Sequence, residues 1–157
     1  MEVAFGKKML EIGCWNGSLW IAKRAVNKWA ADPTLPDKNG HAPLHFACFG
    51  GSLEVVKWLV NECKADPNLA SKNGITPLHM ACWSGHLEMA KWLVNECKAD
   101  PTLPDEKGDT PLHGACACSH TEVVEWLVNE CKADSNLPNK NGDTPVVLAL
   151  KGKWIFQ

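Results

Sequence analysis

The 157-residue chain has no tyrosine, no long apolar run and almost no net charge, and the last two of these remove whole classes of function. A formal charge of −2 offers no bulk attraction to nucleic acid or to an anionic membrane surface. No stretch approaches the roughly 18 consecutive apolar residues that span a bilayer. The opening segment, MEVAFGKKMLEIGCW, lacks the charged-then-apolar order of a secretory signal. A reducing compartment, cytosolic or nuclear, is the resulting expectation. The chain also lacks a glycine-rich phosphate loop, a nucleophile elbow and an HExxH element. No catalytic residue and no cofactor are expected.

What the chain has is repetition. The stretch WLVNECKAD begins at residues 58, 92 and 126, a fixed interval of 34. It lies inside three longer copies, KNGHAPLHFACFGGSLEVVKWLVNECKADPNL, KNGITPLHMACWSGHLEMAKWLVNECKADPTL and EKGDTPLHGACACSHTEVVEWLVNECKADSNL. The units fall at 39–69, 73–103 and 107–137, with a degenerate copy at 5–36 and a truncated one at 141–157. A period in this range predicts one domain over 1–157, built by stacking units that cannot bury their faces alone.

Each unit reads as helix, turn, helix, finger. Thr76 and Thr110 are placed to cap the first helix, with Pro77 and Pro111 at its first position, where a missing N–H costs nothing. Ala42 stands where the first full unit needs that cap. Leu78, Ala81 and Cys82 recur at i, i+3, i+4, an inward stripe. Gly51 and Gly85 supply a left-handed residue to end the helix. Leu87, Ala90, Leu93, Val94 and Cys97 line one face of the second helix, which Asp100-Pro101 is expected to end. Asn73-Gly74 then makes a tight turn at the fingertip.

With GITPLHMAC, GDTPLHGAC and GHAPLHFAC, together with GHLEMAKWLV and ADPN, the chain resembles the ankyrin-repeat family over nearly its whole length. The resemblance implies an all-α solenoid of stacked helix-turn-helix units with finger-like β-turn loops. It further implies recognition of another protein through a concave face formed by fingertips and first helices, with no catalytic residues. A monomer is expected. The chain departs from the family pattern in lacking the usual glycine before Ala-Asp; ECKAD is one residue longer. Its last unit has Val146-Val147 for Leu-His and no second helix, and it ends on KWIFQ. Either Trp154, Ile155 and Phe156 fold back as a cap, or the chain is a fragment of a longer array; the alternative function is a targeting or regulatory segment of a larger enzyme or signalling protein.

Several residues invite a chemical reading. His45/Cys48, His79/Cys82 and His113/Cys116 have the i, i+3 spacing of two metal ligands. The structural reading is stronger: the cysteine lies on the inward stripe, and the resemblance implies that the histidine bonds the loop backbone. The eight cysteines follow the repeat except for Cys118, which points to packing and away from a disulfide framework or a metal or redox sensor. Cys63, Cys97 and Cys131 are expected to fill a core slot on helix two. Equivalent copies would be about 8–10 Å apart, too far for a disulfide. Trp58, Trp92 and Trp126 form either an inter-repeat packing ladder or a second binding face, with the ladder favoured.

The partner-binding reading rests on the outer side of helix one. Ile12 and Trp15, Phe46 and Phe49, Met80 and Trp83, then Gly114 and Ala117 occupy equivalent positions that vary while their neighbours repeat. Large aromatics at such positions resemble interface anchors. With the tip residues His41, Ile75 and Asp109, the expected surface comprises Trp15, His41, Phe46, Phe49, Ile75, Met80, Trp83 and Asp109. The alternative is that these side chains pack between repeats. The remaining histidines, His86 and His120, read as ordinary turn positions.

Overall fold

The computed structural model describes the backbone of residues 2–154 and the side chains of residues 2–151. The cap expected from Trp154, Ile155 and Phe156 falls outside the described side chains. Nine helices and no strands occur among the described residues: α1 (Glu2–Trp15), α2 (Leu19–Trp29), α3 (Pro43–Gly50), α4 (Leu53–Asn61), α5 (Pro77–Trp83), α6 (Leu87–Cys97), α7 (Pro111–Ala117), α8 (Thr121–Asn129) and α9 (Pro145–Trp154). The odd-numbered helices stack in order, α1 on α3, α3 on α5, α5 on α7 and α7 on α9. Each of α2, α4, α6 and α8 packs against the first helix of its own unit. The architecture is the expected all-α ankyrin solenoid.

The core runs down the stack as ladders of identical residues. Leu10, Leu44, Leu78 and Leu112 are buried one above another, and Cys14, Cys48, Cys82 and Cys116 form the next row. Leu59, Leu93 and Leu127 close it from the second helices. Each fully buried leucine contributes about 1.5–3 kcal/mol of transfer free energy. A seven- or eight-residue helix could not hold itself together in water without these contacts. Trp58 and Trp126 are buried and Trp92 is half-buried, so the tryptophans of helix two are packing residues. Lys23 and Lys57 of the preceding units lie over the Trp58 and Trp92 rings, each 5.9 Å from the centroid.

Two local expectations need correction. Helix two does not run to the Asp-Pro pair: α6 ends at Cys97, and Lys98 follows with φ 58°. Lys64 (φ 60°) and Lys132 (φ 57°) take the same left-handed conformation, three residues past the ends of α4 and α8. The extra residue of ECKAD is thus a left-handed lysine in a role that glycine normally fills. Its ammonium donates to a carbonyl of its own last turn, Lys64 to Asn61 and Lys132 to Asn129, each at 2.6 Å. The helix therefore ends earlier than the sequence suggests, and Cys63, Cys97 and Cys131 are only half-buried at its end. They pack against the core without filling it.

His86 and His120 are the second correction. They occupy the position held by Ser18 and Ser52, whose hydroxyls accept from Ile21 and Val55 N–H at 3.4 Å to cap their helices. The histidines make no such cap. Instead Nε2 of His86 bonds Phe49 O, and Nε2 of His120 bonds Trp83 O, both at 3.1 Å across to the preceding unit. Their rings lie against Gly51 and Gly85, where any Cβ would collide with them.

Candidate binding surface

The fingers are fixed by short polar circuits. Asp37 Oδ1 accepts from Asn39 and His41 N–H, and Asp105 Oδ1 from Lys107 and Asp109 N–H, at 2.8–2.9 Å. Ser71 Oγ and Asn139 Oδ1 serve the same turn in their units. Adjacent fingers are linked by Lys72 N–H to Asn39 O, Glu106 N–H to Asn73 O and Lys140 N–H to Lys107 O.

The histidine of each PLH element ties the finger to helix one. Its Nδ1 accepts from the backbone N–H of Ala42, Thr76 or Thr110 at 3.1–3.2 Å. That bond requires the neutral ring with its proton on Nε2. Nε2–H donates to Ile75 O from His45 (3.0 Å) and to Asp109 O from His79 (3.2 Å), carbonyls of the next finger. Both nitrogens of these two rings are engaged, which leaves neither free to bind a metal. Burial holds His45 down at about 4 and lowers His79 as well, because an imidazolium would lose more in hydration than the nearby aspartates return.

The core cysteines are equally inert. Burial pushes the Cys14 thiol up to about 12 and Cys116 up to about 11, and raises Cys48 and Cys82. All eight are free thiols. Protonated at neutral pH, the four core thiols are poor nucleophiles and poor metal ligands.

The eight residues expected at the surface divide into two groups and one outlier. Trp15 meets Phe49 with ring centroids 4.7 Å apart and Phe46 at 6.4 Å; the His41 ring lies 6.2 Å from Phe46. Within this cluster Trp15 is 50% exposed and Phe49 37%, while Phe46 and His41 are half-buried. Ile75, Trp83 and Asp109 form the second group, lining a pocket of about 130 Å³ between α5 and α7. Met80 belongs to neither; it is half-buried and packed against the core.

The pocket also brings in His113 and Leu148, which sequence reasoning did not assign to the surface, and Gly114, which it placed on the outer side of helix one without counting it among the contacts. The available signal was the drop from Phe46 and Met80 to Gly114 at one repeat position. A missing side chain is visible in the sequence, but whether neighbours close over the gap is not.

A family model described as "Ankyrin repeats (3 copies)" matches residues 10–105 and again 97–156. No curated protein matches the chain. Ankyrin repeats are generally non-catalytic modules of protein–protein interaction. With matches that span the helix pairs and the capped fingers, the chain belongs to the ankyrin-repeat family.

Proposed function

We propose that this chain is a protein-binding module that holds a partner protein against its concave face, as a monomer in a reducing compartment. The observation that carries the reading is the exposed aromatic cluster: Trp15 and Phe49 are in contact and yet 50% and 37% exposed. Rings held by helix one on a stacked scaffold lose little freedom on binding, which is what an interface anchor requires. A net charge of −2 favours a protein partner over nucleic acid or an anionic membrane. No helix among the described residues is long and apolar enough to cross a membrane.

The test is the variant Trp15→Ala/Phe49→Ala/Trp83→Ala, with helicity followed by circular dichroism. A partner isolated by affinity capture on the intact protein should lose most of its affinity for this variant. Equal binding by the folded variant would remove the proposed surface.

A second reading, a targeting or regulatory segment within a larger enzyme or signalling protein, draws on α9. Val146 and Leu150 of this helix are 45% and 56% exposed and border a groove with Val124 and Val128 of α8. A parent reading frame that supplies a second helix of the LEVVKWLVN type would support it. A frame that supplies none would count against it.

A further inference from the structure

The pocket beside Trp83 exists because of one residue, Gly114, and nothing in the fold requires a glycine there. Gly114 lies inside α7 and has no positive φ. A Cβ built on it would stand 3.5 Å from Trp83 Cγ, an ordinary contact. Gly50 differs: its Cβ would collide with the Trp15 carbonyl, so close packing explains it. Glycine in a helix interior is unfavourable, and at position 114 that cost leaves the room beside Trp83 unfilled.

The shape of that space is given by the chain itself. In the first pair of units, Trp15 packs against Phe46 and Phe49 and is still 50% exposed. In the third pair, the equivalent Trp83 faces Gly114 and Ala117 and is 46% exposed. The pocket is thus where the array elsewhere places an aromatic or methionine side chain. Its volume, about 130 Å³, is close to that of apolar cavities that hold a benzene ring, about 150 Å³.

The polar wall narrows the ligand class. His113 is 1% exposed and lines the pocket, and its Nδ1 accepts from Thr110 N–H, which leaves the proton on Nε2. Unlike His45 and His79, this Nε2–H has no acceptor among the described residues. A buried donor of this kind calls for an acceptor that arrives with the ligand. A peptide carries one in its backbone, within reach of its side chain.

We infer that this pocket takes one aromatic side chain of a partner polypeptide, with Trp83 as its wall, Gly114 as its floor and His113 Nε2–H for a carbonyl of the same segment. This deepens the concave-face reading and rests on it for the identity of the partner as a protein.

The probe is N-acetyl-phenylalanine methylamide, which carries one ring and two carbonyls, titrated to millimolar concentration into the ¹⁵N-labelled full chain. The expected result is a saturable shift of the Trp83 indole and Gly114 amide signals. Gly114→Met, which restores the side chain of the preceding unit and so retains the fold, should weaken that binding at least about tenfold. No saturable shift at these two signals, or one that persists in folded Gly114→Met, overturns the inference. Partner binding lost in Trp15→Ala/Phe49→Ala without any probe shift at Gly114 would remove the pocket and leave the surface reading. Probe binding at Gly114 with the partner unaffected by that double variant would remove the aromatic cluster and leave the pocket.

Discussion

Acid should loosen this array through a histidine that carries no catalytic function. His45 is fully buried, accepts from Ala42 N–H through Nδ1 and donates to Ile75 O through Nε2. Protonation of Nδ1 would turn an acceptor into a donor facing another donor. Burial, with the neighbouring His41 adding to it, holds this ring near 4 in the folded protein, against 6.5 for an unperturbed histidine. Between those values the unfolded chain binds the proton and the folded chain does not, so stability is full above about pH 6.5 and falls as pH drops towards 4. Relative to neutral pH, the loss at pH 5 from this residue alone is about 2 kcal/mol. His79, lowered for the same reason, adds to it in the same direction. Urea titrations followed by circular dichroism at pH 7.5, 6 and 5 would measure the loss as a falling midpoint at constant slope. His45→Gln provides the control, because its amide can accept and donate at the same two places without titrating. Its pH 7.5-to-5 loss should be smaller by about 2 kcal/mol. Equal losses in the two proteins, or a wild-type midpoint that does not move, would refute the reasoning.

Other outcomes follow from the same geometry. Replacing Lys64, Lys98 and Lys132 by glycine should raise stability by about 1 kcal/mol in total, since relief of left-handed strain exceeds glycine's entropy and one exposed hydrogen bond per site; a lower urea midpoint would count against it. Two glycines of helix one should respond oppositely: Gly114→Ala should gain about 1 kcal/mol of helix propensity, whereas Gly50→Ala should lose about 1–3 kcal/mol by driving a methyl into the Trp15 carbonyl. Thermal or urea denaturation of each variant decides both signs. Thiol titration of the native protein should label exposed Cys118 first, half-buried Cys63, Cys97 and Cys131 more slowly, and Cys14, Cys48, Cys82 and Cys116 only on unfolding. Rapid labelling of any of those four would contradict the core as described.

The legible part of this protein was whatever repeats. Leu10, Leu44, Leu78 and Leu112 fall in phase, and so do the cysteines beside them; a periodic apolar stripe has few ways to be buried other than by stacking. The PLH histidines were legible as loop anchors only through the family resemblance. Their carbonyl partners, Ile75 O and Asp109 O, lie 30 residues away on the next finger. The end of the second helix within WLVNECKAD was not legible. Helix periodicity carries no signal for a lysine at φ near 60°, so the sequence pattern alone runs the helix on to Asp-Pro.

The surface shows the same division. Sequence alone determined that large side chains vary on the outer side of helix one, because internal copies share a backbone and differ there. It could not determine which of them stay exposed. Met80 packed half-buried against the core, Trp15 joined Phe46 and Phe49, and Trp83 was left facing a glycine. Those outcomes depend on side chains from neighbouring units competing for one volume. Only the stacked structure fixes that competition, because the residues involved are about one repeat apart in the chain and in contact only after the units dock.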